Sequence, residues 1–251
     1  MQTLEPAQMH TRPVPHPIRR RRPKGNWLTE FYGSAVGKKY VMAITGIVLL
    51  GYVFAHMLGN LHLYEGAHRI NEYGEGLRDL GEPIVGRTQL MWVLRVGLVT
   101  AFVFHIHSAA GLTRINQKAR AAGGYLQDRD WIAANFASRT MRWTGVIILL
   151  YLVFHLFDLT WGQANPDFVR GDVYGNLVAS FERVPVAAVY VVANLALGLH
   201  IYHGAWSMFQ SLGINHPRFN HLRRWFATGF ALLITLGNVS FPIMVQLGVV
   251  D

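Results

Sequence analysis

The chain contains no cysteine, which excludes structural disulfides, thiol catalysis and iron–sulfur clusters held by its own thiolates. Charge is sparse as well: Asp, Glu, Lys and Arg make up 15% of the 251 residues, against about 25% in an ordinary soluble domain. Acidic residues are the scarcer sign, 14 against 23 Lys and Arg. None falls in the middle of a long apolar stretch, which argues against a transporter or channel with a proton relay, whose pointers are midplane carboxylates and broken helices. What remains is a composition that is 51% hydrophobic, which points to a membrane. With thiols missing, the 12 histidines are the main means of binding a metal.

Five segments approach or exceed the roughly 20 apolar residues that cross a bilayer. They are Tyr40–Leu63, Leu90–Leu112, Trp143–Trp161, Val186–Phe209 and Trp225–Val249. Short joints containing Gly, Asn and Pro predict an all-α, up-and-down bundle. Trp92, Trp143, Trp161, Trp206 and Trp225 fall near the segment ends, as interfacial aromatics do.

The net charge of +9 sits in tails and loops, so it sets orientation and gives no reason to invoke nucleic acid. Residues 1–37 read as a basic cytoplasmic arm. It is Pro-rich over Met1–Lys24 and carries Arg19-Arg20-Arg21-Arg22, with no apolar stretch of signal-peptide type directly behind. The second connection holds Arg114, Lys118, Arg120, Arg129, Arg139 and Arg142, and the fourth holds Arg218, Arg223 and Arg224. Both belong with the arm on the cytoplasmic side. The first and third connections are poor in Lys and Arg and belong outside with the C-terminus. Residues 38–251 then form the five-helix transmembrane domain.

Four histidines lie within different segments. At about 1.5 Å per residue, His56 is roughly 24 Å and His155 about 18 Å from the inner end of its span, while His107 and His200 are roughly 7–12 Å in. Two pairs at two depths result, on the order of 11 Å apart. Any one of these imidazoles has an ordinary use in hydrogen bonding across helices. Histidines at matching depth on opposing helices are also what bis-imidazole ligation of a b-type haem requires. His107-Ser-Ala-Ala-Gly111 and His200-Ile-Tyr-His-Gly204 each set a glycine one turn from a histidine, where a flat ring meets no side chain. Gly46, Gly59 and Gly145 offer similar room.

His105 and His203 suit a propionate, a quinone or a neighbouring helix. His62 and His68 lie near the outer surface, in reach of proton handling or of solvent alone. Arg95 and Asp158, ionisable groups near outer span ends, either snorkel or pair. Arg142 serves a haem propionate or anchors the span's cytoplasmic end.

Histidine late in the first span, His-x-x-x-Gly in the second, histidine late in the third and His-x-x-x-Gly-x-Trp in the fourth form an ordered set. With Phe104-His105-Ile106-His107-Ser108-Ala109-Ala110-Gly111 and His200-Ile201-Tyr202-His203-Gly204-Ala205-Trp206-Ser207, it resembles the single-chain di-haem cytochrome b anchor of succinate dehydrogenase and fumarate reductase. The likeness covers Lys38 to Val249. It implies a four-helix haem-binding core with two b haems, His107 pairing with His200 on the inner one and His56 with His155 on the outer. It further implies a bacterial inner-membrane complex of the tricarboxylic acid cycle. A flavoprotein subunit carrying FAD and an iron–sulfur subunit would sit on the cytoplasmic face, with electrons passing to a quinone, menaquinone being the one implied. The chain would be the subunit of that enzyme without the flavin. Glu72, Glu75 and Asp79 are the candidates for a carboxylate serving quinone protons. Three other readings stay open: the cytochrome b subunit of a hydrogenase or formate dehydrogenase, a variant anchor with a histidine-ligated iron–sulfur cluster in place of haem, and an anchor without cofactor.

Overall fold

The computed structural model describes residues 25–121 and 136–251. The Arg19–Arg22 run, Arg129 and the side chains of Arg120 and Arg139 lie outside that description. Eight α-helices occur among the described residues: α1 (Trp27–Gly33), α2 (Ala35–Asn60), α3 (Ala67–Gly76), α4 (Gln89–Ala121), α5 (Phe136–His155), α6 (Val173–Glu182), α7 (Val184–Ser211) and α8 (Asn220–Gln246). There is no strand among them. Five stretches are long and apolar enough to cross a membrane: Ala35–Glu65, Gln89–Lys118, Thr140–Thr160, Val184–Ser211 and Pro217–Gln246. The all-α, five-span reading therefore holds, with span ends displaced by a few residues.

Local chemistry sets several boundaries. The Asn26 side chain accepts from the Thr29 N–H at 3.0 Å to start α1, and Ser34 ends it. The same Ser34 begins α2 by accepting from the Gly37 N–H at 2.9 Å. Side-chain oxygens at these positions satisfy amide groups that a helix start leaves free. The stretch read as arm, 1–37, thus holds α1 and the first turn of α2 within its described part. Pro185 lies in the first turn of α7, where its missing N–H costs no hydrogen bond.

Helix α7 is the hub, packing against α8, α5 and α2, while α4 lies on α2. Its central place shows in burial: 39% of its most apolar window is covered within the protein, against 6% for α4. The remaining apolar surface, including Val93, Val96, Val99 and Val103 of α4, is a face for lipid. Contact between α7 and α8 depends on Gly198, where a Cβ would stand 2.1 Å from Thr235 Oγ1.

The connections at one end are folded. A 3₁₀ turn (Leu61–Glu65), α3 and α6 cap that end through Leu63, Ile70, Leu177, Phe181 and Phe241. Glu72, Glu75 and Asp79 all lie in exposed ion pairs here: Arg69 reaches Glu72 at 3.3 Å, Arg78 reaches Glu75 at 2.8 Å, and Arg87 bonds Asp79 at 2.8 Å and also Glu75. Asp79, with Glu75, holds the Arg87 guanidinium above its ordinary pKa.

Gly198→Ala should cost about 1–3 kcal/mol by overpacking, seen as a lower unfolding midpoint of the detergent-purified chain. Adding Thr235→Ala should return part of that loss, because the two residues share one contact.

Candidate functional site

Two helices present the same string of residues. In α2 it reads Met42-x-x-Thr45-Gly46, then Tyr52 and His56; in α5 it reads Met141-x-x-Thr144-Gly145, then Tyr151 and His155. The spacing is identical throughout, so α5 repeats α2, and α7, which packs on α5, takes the place of α4 on α2. The sequence reading passed over this repeat, although it was visible as a spacing of 99 residues.

Each Thr-Gly pair receives a histidine from its partner helix. Thr45 Oγ1 lies 3.2 Å from His105 Nδ1, and a Cβ on Gly46 would sit 3.7 Å from His105 Cε1. Thr144 Oγ1 lies 3.2 Å from His200 Nδ1, and a Cβ on Gly145 would sit 3.6 Å from His200 Cε1. Hydrogen-bond direction follows from where each hydroxyl proton goes. Thr45 donates to the Val41 carbonyl at 2.7 Å, and Thr144 to the Thr140 carbonyl at 3.0 Å. Each threonine oxygen therefore accepts from its imidazole. With Nδ1 as the donor to threonine, His105 and His200 would each keep an Nε2 lone pair free.

His107 does not share this interior. It is exposed, its Nδ1 bonds the Tyr32 hydroxyl, and its ring stacks on Tyr32 with centres 5.5 Å apart. The physical reason is helical phase: Ala101, Ser108 and Leu112 are the buried residues of α4 among those described, and position 105 falls near their stripe while 107 is about 120° away from it. Gly111 gives room to the Lys38 side chain, whose Cε would be 2.8 Å from an added Cβ, and Gly204 faces nothing within 4 Å. The glycines against histidine rings are Gly46 and Gly145.

His56 and His155 do meet. Their ring centres are 6.0 Å apart and nearly perpendicular at 87°. His56 also stacks on Tyr52 at 5.5 Å, and His155 Nδ1 is 3.3 Å from the Tyr190 hydroxyl. Ten residues separate Gly46 from His56 and Gly145 from His155, so the two histidine levels are about 15 Å apart along the helices. Neither α2 with α5 nor α4 with α7 is a packed helix pair; His56 and His155 face one another across the bundle.

The other candidates are accounted for in turn. Asp158 is fully buried and paired with Arg183 at 2.6 Å. The Arg95 guanidinium lies 5.2 Å from the Trp92 ring centre. Arg142 is exposed at the start of its span, His203 is half-buried, His62 bonds Glu65 at 2.9 Å and His68 is exposed beside Glu72.

Fold and site together define a five-span helical membrane protein with imidazoles at two levels of one bundle, half-buried at His105, His155 and His200 and exposed at His56. Residues 130–237 match the family described as succinate dehydrogenase/fumarate reductase transmembrane subunit. That match runs through α5, α6 and α7 into α8, somewhat under half of the chain. Comparison with curated proteins finds no match, and neither does comparison with solved structures.

Because an added Cβ at Gly145 makes an ordinary contact with His200, Gly145→Ala should leave thermal stability nearly unchanged. Gly145→Leu should lower it by about 1–3 kcal/mol or more through overpacking, as read from the unfolding midpoint in detergent.

Proposed function

We propose that this chain is the membrane-anchor cytochrome b of a succinate:quinone oxidoreductase, holding one b-type haem between His105 and His200 and a second between His56 and His155. The observation that carries the reading is that Nδ1 of His105 and of His200 each meets a threonine hydroxyl at 3.2 Å, which leaves Nε2 of each ring for a metal, as in metal-ligating histidines. The spacing of the other pair also fits. A metal bound about 2 Å from one nitrogen of each imidazole puts the ring centres about 6 Å apart, and His56 and His155 stand at 6.0 Å. Ser108 Oγ, fully buried with no hydrogen-bond partner among the described residues, lies one turn from His105 and offers a donor to the polar edge of a bound group.

When bound, the haems supply one-electron transfer between an iron–sulfur subunit on the cytoplasmic face and a membrane quinone, menaquinone in this reading. The chain's own part is to hold ligands at two depths, fix their tautomers and exclude water. Met57, Ile201 and Ile234 close the bundle around α2, α7 and α8. The cap formed by α3 and α6 covers the end where His155 lies. By the distribution of Lys and Arg, that capped end faces outside and the α1 end faces the flavoprotein and iron–sulfur subunits, in a bacterial cell membrane.

A reduced-minus-oxidised spectrum with a pyridine haemochrome assay should give two b haems per chain, and the flavoprotein should co-purify. His105→Ala or His200→Ala should remove one spectral component, and His56→Ala or His155→Ala the other. His107→Ala should keep both; loss of a haem in that variant while His105→Ala retains two would reverse the assignment.

A further inference from the structure

The helical part of α5 ends at His155, and the chain continues as a π-helical turn, Leu156–Thr160. Such turns widen a helix locally and recur at functional sites. This one carries Asp158, whose side chain is 0% exposed. Its Oδ1 accepts from Arg183 Nη2 at 2.6 Å, and its Oδ2 accepts from the Tyr190 hydroxyl at 2.9 Å and from Ser180. Arg183 is tied further to the Ala164 carbonyl at 2.7 Å and the Ala179 carbonyl at 3.3 Å. The carboxylate is thus paired, three times bonded and immobile.

Because a carboxylate beside a guanidinium only accepts, Tyr190 must spend its single proton on Asp158. The tyrosine oxygen that lies 3.3 Å from His155 Nδ1 is therefore an acceptor, and His155 must donate to it. We propose that Asp158, acting through Tyr190, is a positioning residue that holds His155 as its Nδ1–H tautomer and makes it a stronger electron donor than His105 or His200.

The comparison within the molecule gives the second half of the proposal its content. The threonines serving His105 and His200 pass their protons to neutral backbone carbonyls. At His155 the same kind of hydroxyl passes its proton to an ionised carboxylate. A charge at the end of the chain draws the tyrosine proton away, enriches the phenolic oxygen, and pulls the imidazole N–H harder, which raises ligand basicity. Arg183 offsets part of that charge for the surroundings, yet it bonds the other carboxylate oxygen, leaving Oδ2 to Tyr190 and Ser180. A more basic ligand favours the oxidised state of a metal it binds, so the His56–His155 site should have the lower reduction potential of the two.

The tautomer is a property of the chain itself, whereas the potential rests on the haem reading above, and the two are measured separately. Full-length, haem-free protein labelled with ¹⁵N-histidine in lipid bilayers should show His155, assigned by its loss in His155→Gln, protonated on Nδ1. Tyr190→Phe keeps Asp158, Ser180 and Arg183 together and removes only the link; it should turn His155 into a mixture of tautomers, with the Nδ1–H fraction falling several-fold. In the haem-loaded complex, Tyr190→Phe and Asp158→Asn should both raise the midpoint potential of one haem and leave the other in place. An unchanged His155 tautomer in Tyr190→Phe, or potentials that stay put or move together, overturns the proposal. A wild-type chain that binds no haem defeats the cytochrome reading, and the ¹⁵N spectra then decide the tautomer alone.

Discussion

An imidazole inside an apolar bundle has one N–H that must be given away, and the structure depends on how that is done. Water is absent from a membrane interior, and an unpaired donor there costs several kcal/mol. The chain meets the demand with hydroxyls whose own protons are already committed. Thr45, Thr144 and Tyr190 each donate to a second acceptor, so each has only lone pairs to offer the histidine beside it. Hydrogen bonds of this kind fix both the ring's orientation and its protonation at once. A backbone carbonyl alone would satisfy the N–H, but the hydroxyl adds a second contact from the neighbouring turn and leaves less freedom to rotate.

Helix packing then decides which histidines meet. Since α4 packs on α2 and α7 on α5, His105 comes to lie against α2 and His200 against α5. Glycine makes the approach possible at Gly46 and Gly145, where the ring edge lies against the helix itself. Elsewhere glycine does unrelated work: Gly237 admits the Met57 sulfur and Gly59 admits the Tyr73 ring, joining α2 to α8 and to α3. A glycine one turn from a histidine in the same helix is therefore a weak sign of a ring pocket. The glycine that matters is on the facing helix.

Much of this was legible beforehand and some was not, for identifiable reasons. The five spans follow from apolar length, which bilayer thickness makes unambiguous. Two depths of histidine follow from counting residues, and His56 and His155 do stand together. Counting does not separate His105 from His107, because two residues are only about 3 Å of depth. What separates them is angle, read from the buried stripe Ala101, Ser108 and Leu112, and three small or aliphatic residues stand out little in a segment that is apolar all round. Asp158 and Arg183 are 25 residues apart across the third connection, so pairing between them has no local signature. The short helices α1, α3 and α6 carry mixed polarity and were absorbed into arm and loops; α6 is held by an Asp172 cap that bonds the Gly175 N–H at 3.0 Å and by contact with the spans.

The repeat explains why there should be two levels at all. The spans α2 and α5 run in the same direction, as do α4 and α7, so the two halves are parallel copies related about an axis along the bundle. Rotation about such an axis brings each residue opposite its own equivalent at the same height. His56 then faces His155, as their ring contact shows, and the pairing proposed for His105 and His200 follows the same relation. The separation of about 15 Å is fixed by the ten residues between glycine and histidine in one copy, and the second copy inherits it. The family match runs from α5 into α8, and the shared Met, Thr, Gly, Tyr and His positions recur in α2, beyond the matched residues. The symmetry is broken in two places, by α8 lying against α7 and α2 and by the acceptor given to the histidines near the cap. His155 has Tyr190 and behind it a carboxylate, while His56 has the Tyr52 ring at its face. In the proposed reading, equal ligands at two levels would have no built-in electronic direction, and unequal second partners would supply one without disturbing the geometry of the repeat.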